Sequence, residues 1–398
     1  MSYAGTRTII DADSHLIELD DFVAKAASSS ELPLIPPMDA QTNLPVSQAA
    51  LERGRELHAK RQADPELMEK FEAGLMDNSK SGWSRLGAFD PQERSHCLEL
   101  FGFQAQLVLG TYAYHQVAHC EDEATLVAST RALNRAMGTF CAHDDRLKAI
   151  GYAPLRLGPE EAGALMDDGF ADGCYSFMVD TNEPDDEARS FTHPDFDPVW
   201  SRFEQARVPF LMHVDGNGDY QAVPRSFANN GRENAKFDGD GATDLLSLVT
   251  IKNSAELFLT AMIFDSVFDR HPLLKGLSLE HGASWLPSWM NTMDFAAKAF
   301  QRLIGKRDAT PSEMVRRHLK FCPFAGEPLG WIIENVGSEL LVFGSDYPHP
   351  EGTSDPIGLH EKSMKGCDQE TLDRFYYRNM EDLMGIELPL DGKSSPRV

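Results

Sequence analysis

Eight short apolar runs set the strongest constraint on how this chain can fold. They are TIIDADSH (8–15), AQLVLG (105–110), LKAIGYAPL (147–155), YSFMVD (175–180), VPFLMHV (208–214), LKGLSLEH (274–281), HLKFCPF (318–324) and LLVFGSD (340–346). Each has the length and composition of a strand buried on both faces. Between them lie amphipathic stretches such as ATLVASTRALNRAMGTFCA, PEEAGALMDDGF, FDPVWSRFEQA, AELFLTAMIFDSVFDR and LGWIIENVG. Strand and helix in alternation predict a parallel sheet, and eight such units close most economically as a single (β/α)8 TIM barrel of the α/β class.

The spacing breaks once, because roughly ninety residues separate the first run from the second. Within one domain spanning 1–398, segment 20–90 reads as a helical insertion after strand one, serving as a cap or an oligomerisation arm. It carries the Pro-rich ELPLIPPM and the charged SQAALERGRELHAKRQADPELMEKFEAG. Its high charge is that of a solvated surface helix, which is the alternative. A second long stretch, GNGDYQAVPRSFANNGRENAKFDGDGAT (216–243), follows the fifth run directly. It reads as an active-site loop, with disorder as the alternative.

Composition narrows the partners. With 62 acidic and 37 basic residues the net charge is −25, which repels nucleic-acid phosphates and anionic membranes. An anionic substrate then needs a local positive feature, an arginine or a metal ion. The six cysteines form no C-x-x-C pair, so neither a disulfide framework nor a thiolate zinc site is indicated. The start, MSYAGTRTIID, lacks a signal peptide's apolar core, and the run LFLTAMIF (257–264) is too short to span a bilayer. The expectation is a soluble, cytoplasmic protein.

The ends of the predicted strands carry the chemistry. IIDADSH sets Asp11, Asp13 and His15 at alternate positions, so Asp13 and His15 project to one side, a carboxylate and an imidazole suited to a metal. A turn-initiating Asp followed by an exposed His is the alternative. The fifth run ends at His213, the sixth at His281 and the eighth at Asp346. Barrel enzymes place their chemistry at the C-terminal ends of the strands. Four strand ends carrying D-x-H, His, His and Asp therefore make a specific pattern.

IDADSH, FLMHV, LEHGASWLP and VFGSDYPHPEG, with FDPVWSRFEQARVPFLMHV and FDSVFDRHPLLKGLSLEHG, resemble the amidohydrolase-related metal enzymes of the aminocarboxymuconate-semialdehyde decarboxylase group. The likeness runs from the first strand to the final helix, excluding 20–90. It implies Asp13, His15, His213 and Asp346 as metal ligands and His281 as the catalytic acid or base. Asp180 and His349 are substrate-binding candidates, against a capping or turn role for the first and a loop-shaping role for the second. Many relatives begin H-x-H or E-x-H where this chain has D-S-H, which leaves the ion open between Zn2+ and Mn2+. Strand four lacks the Lys or Glu that bridges two metals, so one divalent ion is expected. The resemblance implies a non-oxidative decarboxylase of an aromatic or enolic carboxylic acid. A hydrolase using metal-activated water on an amide, ester, lactone or C–C bond is the alternative. It further implies a small-molecule carboxylic acid substrate and a homodimer or homotetramer. Arg85, Arg94 and Arg225 are candidates to hold a carboxylate, against a surface position. Trp285 and Trp289 are expected to pack the outer helix. Tyr114 and Phe103 could line the pocket or the core.

Overall fold

The computed structural model describes residues 2–38, 47–77, 82–183, 187–214, 227, 231, 245–305, 308–349, 352–387, 395 and 396. Seven parallel strands run in sequence order: β1 (Ile10–Leu16), β2 (Ala105–Gly110), β3 (Leu147–Ala153), β4 (Ser176–Val179), β5 (Phe210–Met212), β6 (Gly276–Ser278) and β7 (Leu319–Phe321). Each lies inside or within a residue of an apolar run read from the sequence. Consecutive strands pair, with His15 opposite Leu109, Met178 opposite Leu211 and Ser278 opposite Phe321. Helices fill the crossovers, including Glu123–Cys141, Pro159–Ala171, Asp197–Ala206 and Asn253–Phe264.

The eighth run closes the ring without forming a regular strand. Phe321 N–H donates to Leu340 O (2.9 Å) and Val342 N–H to Phe321 O (3.0 Å), tying it to β7. Ala12 N–H donates to Phe343 O (2.9 Å) and His15 N–H to Tyr347 O (2.7 Å), tying it to β1. The expected strand 340–346 is thus a set of bridges, because Gly344 and the turn at Asp346 interrupt the ladder. Gly344 is required by close approach. A Cβ there would come 2.5 Å from Cys322 Sγ and 2.7 Å from Asp13 Cβ. The fold is that of a (β/α)8 barrel, its sheet curled from β1 to β7 and returned to β1 through residues 340–347.

Leu107, Ile150, Phe177, Leu211, Leu277 and Phe321 from the strands are buried in one continuous apolar core. The apolar stretch Leu245–Phe264 is long enough to cross a membrane by length and composition, yet Phe258, Leu259, Met262 and Ile263 pack into that core. Between β1 and β2 the described residues form the helices Phe22–Ala26, Gln48–Ala63, Pro65–Ala73 and Pro91–Phe101. Arg61 anchors them. Its buried guanidinium pairs with Glu93 and donates to Ser84 O (3.0 Å) and Arg85 O (3.2 Å). All six cysteines are free. The stretch 216–243 lies outside the described residues except for Phe227 and Gly231.

Candidate metal centre

β1 delivers its acids to different places. The pairing of β1 with β2 shifts register between Asp11 and Ser14. Asp11 turns to the closing segment, where Ser345 N–H (2.8 Å), Ser345 Oγ (2.6 Å) and Gln106 Nε2 (2.8 Å) all donate to it. Burial pushes its carboxyl up to about 6 despite those donors. Asp11 therefore bonds the eighth segment to β1, while Asp13 and His15 face the barrel mouth.

There they meet the other strand ends. His15 Nε2 lies 3.3 Å from Asp13 Oδ1 and 3.9 Å from Asp346 Oδ1, and His213 Nε2 lies 3.8 Å from Asp13 Oδ1. Ligands on adjacent corners around an ion with bonds of about 2.1 Å stand about 3.0–3.4 Å apart, so these spacings suit one cation with slight contraction. Asp13 Oδ1 and His15 Nε2 are buried and have no hydrogen-bond partner. Buried polar atoms without partners are costly and rare, and here both aim at one point. Burial tends to raise the Asp13 carboxyl, but His15 and His213 outweigh it and hold it below the usual carboxylate range. Oxygen and imidazole donors in this arrangement fit a divalent ion: Asp13, His15 and His213 form one group of donors within 4.8 Å of one another, and His15 joins a second group that contains Asp346, so Asp13, His15, His213 and Asp346 are residues that could hold it. Asp346 reaches the group through a left-handed backbone, φ 54°, with its N–H bonded to Asp13 O at 2.8 Å.

His281 stands beside this group. Its Nδ1 is 3.0 Å from Ser278 Oγ, and its buried Nε2 has no hydrogen-bond partner. Burial, with a further push from His213, takes its pKa down to about 3 against an opposing pull from Asp13. The ring is neutral at physiological pH, and its imidazolium, once formed, is a strong proton donor.

His349 belongs to the cluster as well as to its loop. Its ring lies 3.9 Å from that of His15, and its Nδ1 is 3.3 Å from Asp346 Oδ1. Burial and then His15 keep it neutral, well below its ordinary pKa. Thr111 Oγ1 sits 2.8 Å from His349 Nε2 and 3.4 Å from His15 Nδ1. A hydroxyl carries one proton, so this geometry sets a direction. With His15 Nε2 committed to the cluster, Nδ1–H donates to Thr111, Thr111 donates to His349 Nε2, and His349 Nδ1–H faces Asp346. Behind Thr111, the buried Glu18 carboxylate accepts its N–H at 2.9 Å and is raised to about 7 by burial.

Asp180 is fully buried. It accepts from Tyr152 OH (2.6 Å) and Arg156 N–H (3.0 Å), at the end of β4. Arg85 and Arg94 are buried rather than on the surface. Arg85 lies 5.0 Å and Arg94 5.3 Å from the Tyr347 ring, and Arg94 also donates to His15 O, so both brace the closing segment. Arg225 lies outside the described residues. Trp285, the N-cap of the helix Leu286–Ala299, and Trp289 within it pack on Phe321 at 5.7 and 6.3 Å. Tyr114 packs edge-on to Tyr152 at 5.3 Å, and Phe103 stacks on Phe101 in the core. Sequence reasoning passed over Thr111, Glu18 and Glu280. The Gly-Thr step ending β2 and the Glu-His-Gly ending β6 were the available signals.

The chain belongs to the amidohydrolase family, whose model, described as Amidohydrolase, matches residues 10–386. Solved structures with the same fold include an amidohydrolase from Mycobacterium avium subsp. paratuberculosis K-10, at TM-score 0.69 and 21% identity over 96% of this chain and 99% of that one. Another is 5-carboxyvanillate decarboxylase from Novosphingobium aromaticivorans DSM 12444, complexed with manganese and 4-hydroxy-3-methoxy-5-nitrobenzoic acid. Its TM-score is 0.61 and its identity 15%, over 95% and 96% of the two chains. A third, 2,6-dihydroxybenzoate decarboxylase from Rhizobium, has TM-score 0.62 and 14% identity over 95% and 99%.

Proposed function

We propose that the protein is a metal-dependent decarboxylase of a hydroxylated aromatic or enolic carboxylic acid. The observation that carries this reading is the neutral, inward-facing His281 beside the Asp13–His15–His213–Asp346 group. The decarboxylases among its structural neighbours, one of them holding manganese, support the choice of chemistry and of Mn2+. A divalent ion held there would supply positive charge to fix a carboxylate and an adjacent hydroxyl oxygen, and to make that hydroxyl more acidic.

The chain's own groups then move the proton. His281 Nε2 accepts the proton of the substrate's acidic hydroxyl, and Ser278 at Nδ1 holds the ring in place. The imidazolium so formed protonates the ring carbon bearing the carboxylate. The bond from that carbon to the carboxylate breaks, its electron pair returns to the ring, and CO2 leaves. Arg85 and Arg94, buried against Tyr347, keep the segment bearing Asp346 in register.

The inward-facing Nε2 of His281, which has no hydrogen-bond partner, is equally placed to take a proton from water, and hydrolysis is the second reading. Purified protein loaded with Mn2+ or Zn2+ and offered hydroxybenzoate-type acids distinguishes them. Decarboxylation releases CO2 with no oxygen from labelled water in the product, whereas hydrolysis incorporates it. His281→Ala is expected to keep metal content and lose turnover, and unchanged turnover would refute this mechanism.

A further inference from the structure

Glu280, the residue before His281, has no role in the ligand set above. Adjacent residues of an extended strand point to opposite faces. Glu280 and His281 nevertheless both reach the mouth. Glu280 Oε2 lies 3.5 Å from His213 Nε2, while His281 is close enough to feel both His213 and Asp13. The backbone explains the convergence, because Glu280 is left-handed, with φ 53°. A non-glycine residue adopts that conformation only where surrounding structure imposes it, and such strain gathers at functional sites. The Glu280 carboxylate also falls in one group with His15, Asp346 and His349, whose donor atoms all lie within 4.8 Å of one another. That group shares His15, whose buried Nε2 has no hydrogen-bond partner, with the Asp13–His15–His213 group.

We propose that Glu280 is a third carboxylate ligand of the ion held by Asp13, His15, His213 and Asp346; the inference rests on that metal site. Three carboxylates and two neutral imidazoles around a divalent cation leave a formal charge of −1. An oxygen-rich, five-donor set suits a hard ion of higher coordination number, Mn2+, over the four-coordinate preference of Zn2+. The left-handed turn at Glu280 is the device that adds this ligand without displacing His281.

The test is metal affinity, independent of any substrate. Chelator-stripped wild-type, Glu280→Gln and Glu280→Gly proteins are titrated with MnCl2 and with ZnCl2 against a chelating dye, and bound Mn2+ is followed by electron paramagnetic resonance. Both variants are expected to bind Mn2+ more weakly by about tenfold to a hundredfold, with a smaller loss for Zn2+ and an altered Mn2+ spectrum. Glycine is at ease at this φ, so the metal-free Glu280→Gly protein melts no lower than wild type, which separates ligation from folding. Variants that bind Mn2+ within threefold of wild type with an unchanged spectrum would overturn the proposal and leave the four-residue site standing. Wild-type protein that binds neither ion would overturn both.

Discussion

His360 backs the closing segment that carries Asp346, and it makes the fold acid-sensitive in a calculable way. It lies on the helix Pro356–Ser363, fully buried, with its ring 5.8 Å from Phe343 and 5.0 Å from Phe375. Neither ring nitrogen has a hydrogen-bond partner, and burial lowers its pKa from 6.5 to about 4. Between those two values the unfolded chain holds a proton that the folded chain refuses, so stability falls as pH drops below 6.5, and the loss is complete below about 4. The full difference of 2.5 pH units corresponds to about 3 kcal/mol, of which about 2 kcal/mol is lost by pH 5. Leucine has similar bulk and no polar atoms. His360→Leu should leave stability near pH 7.5 unchanged or about 1 kcal/mol higher, because two unpartnered nitrogens leave the core. It should also shrink the loss between pH 7.5 and pH 5 by about 2 kcal/mol relative to wild type. Urea unfolding of both proteins at the two pH values measures this. A variant as acid-sensitive as wild type, or destabilised by more than about 1 kcal/mol at pH 7.5, would refute the reasoning.

Thr111→Val removes the hydroxyl between His15 and His349 and should weaken metal binding about 10- to 100-fold, while Thr111→Ser retains it; chelator competition reads the difference. Arg61→Ala strands the buried Glu93 carboxylate and should destabilise the fold by about 3–5 kcal/mol in urea unfolding, since both side chains are almost fully covered. Stripping the ion should lower the unfolding free energy by about 2.7 kcal/mol relative to protein holding it at a hundredfold excess over Kd; Asp346→Asn should abolish that difference in thermal melts with and without added metal.

Taken by itself, the sequence settled the periodic features. Strand periodicity and helical amphipathicity are local properties, so all seven strands of the parallel sheet fall on apolar runs visible in the chain, and the order of their ends follows from barrel topology. The same locality made Asp13, His15, His213, His281 and Asp346 visible as candidates, each at a strand end. Tertiary structure decided which acids and histidines meet. Asp11 and Asp13 are equivalent by alternation, and only the register shift in β1 and the closing segment send one to Ser345 and the other to the mouth. Alternation also predicts that Glu280 turns away from the side His281 faces, and a left-handed backbone reverses that. Thr111 and His349 stand 238 positions apart, and their bond exists because the ring closes. Such contacts depend on backbone dihedrals and long-range register, which no local pattern of residues encodes.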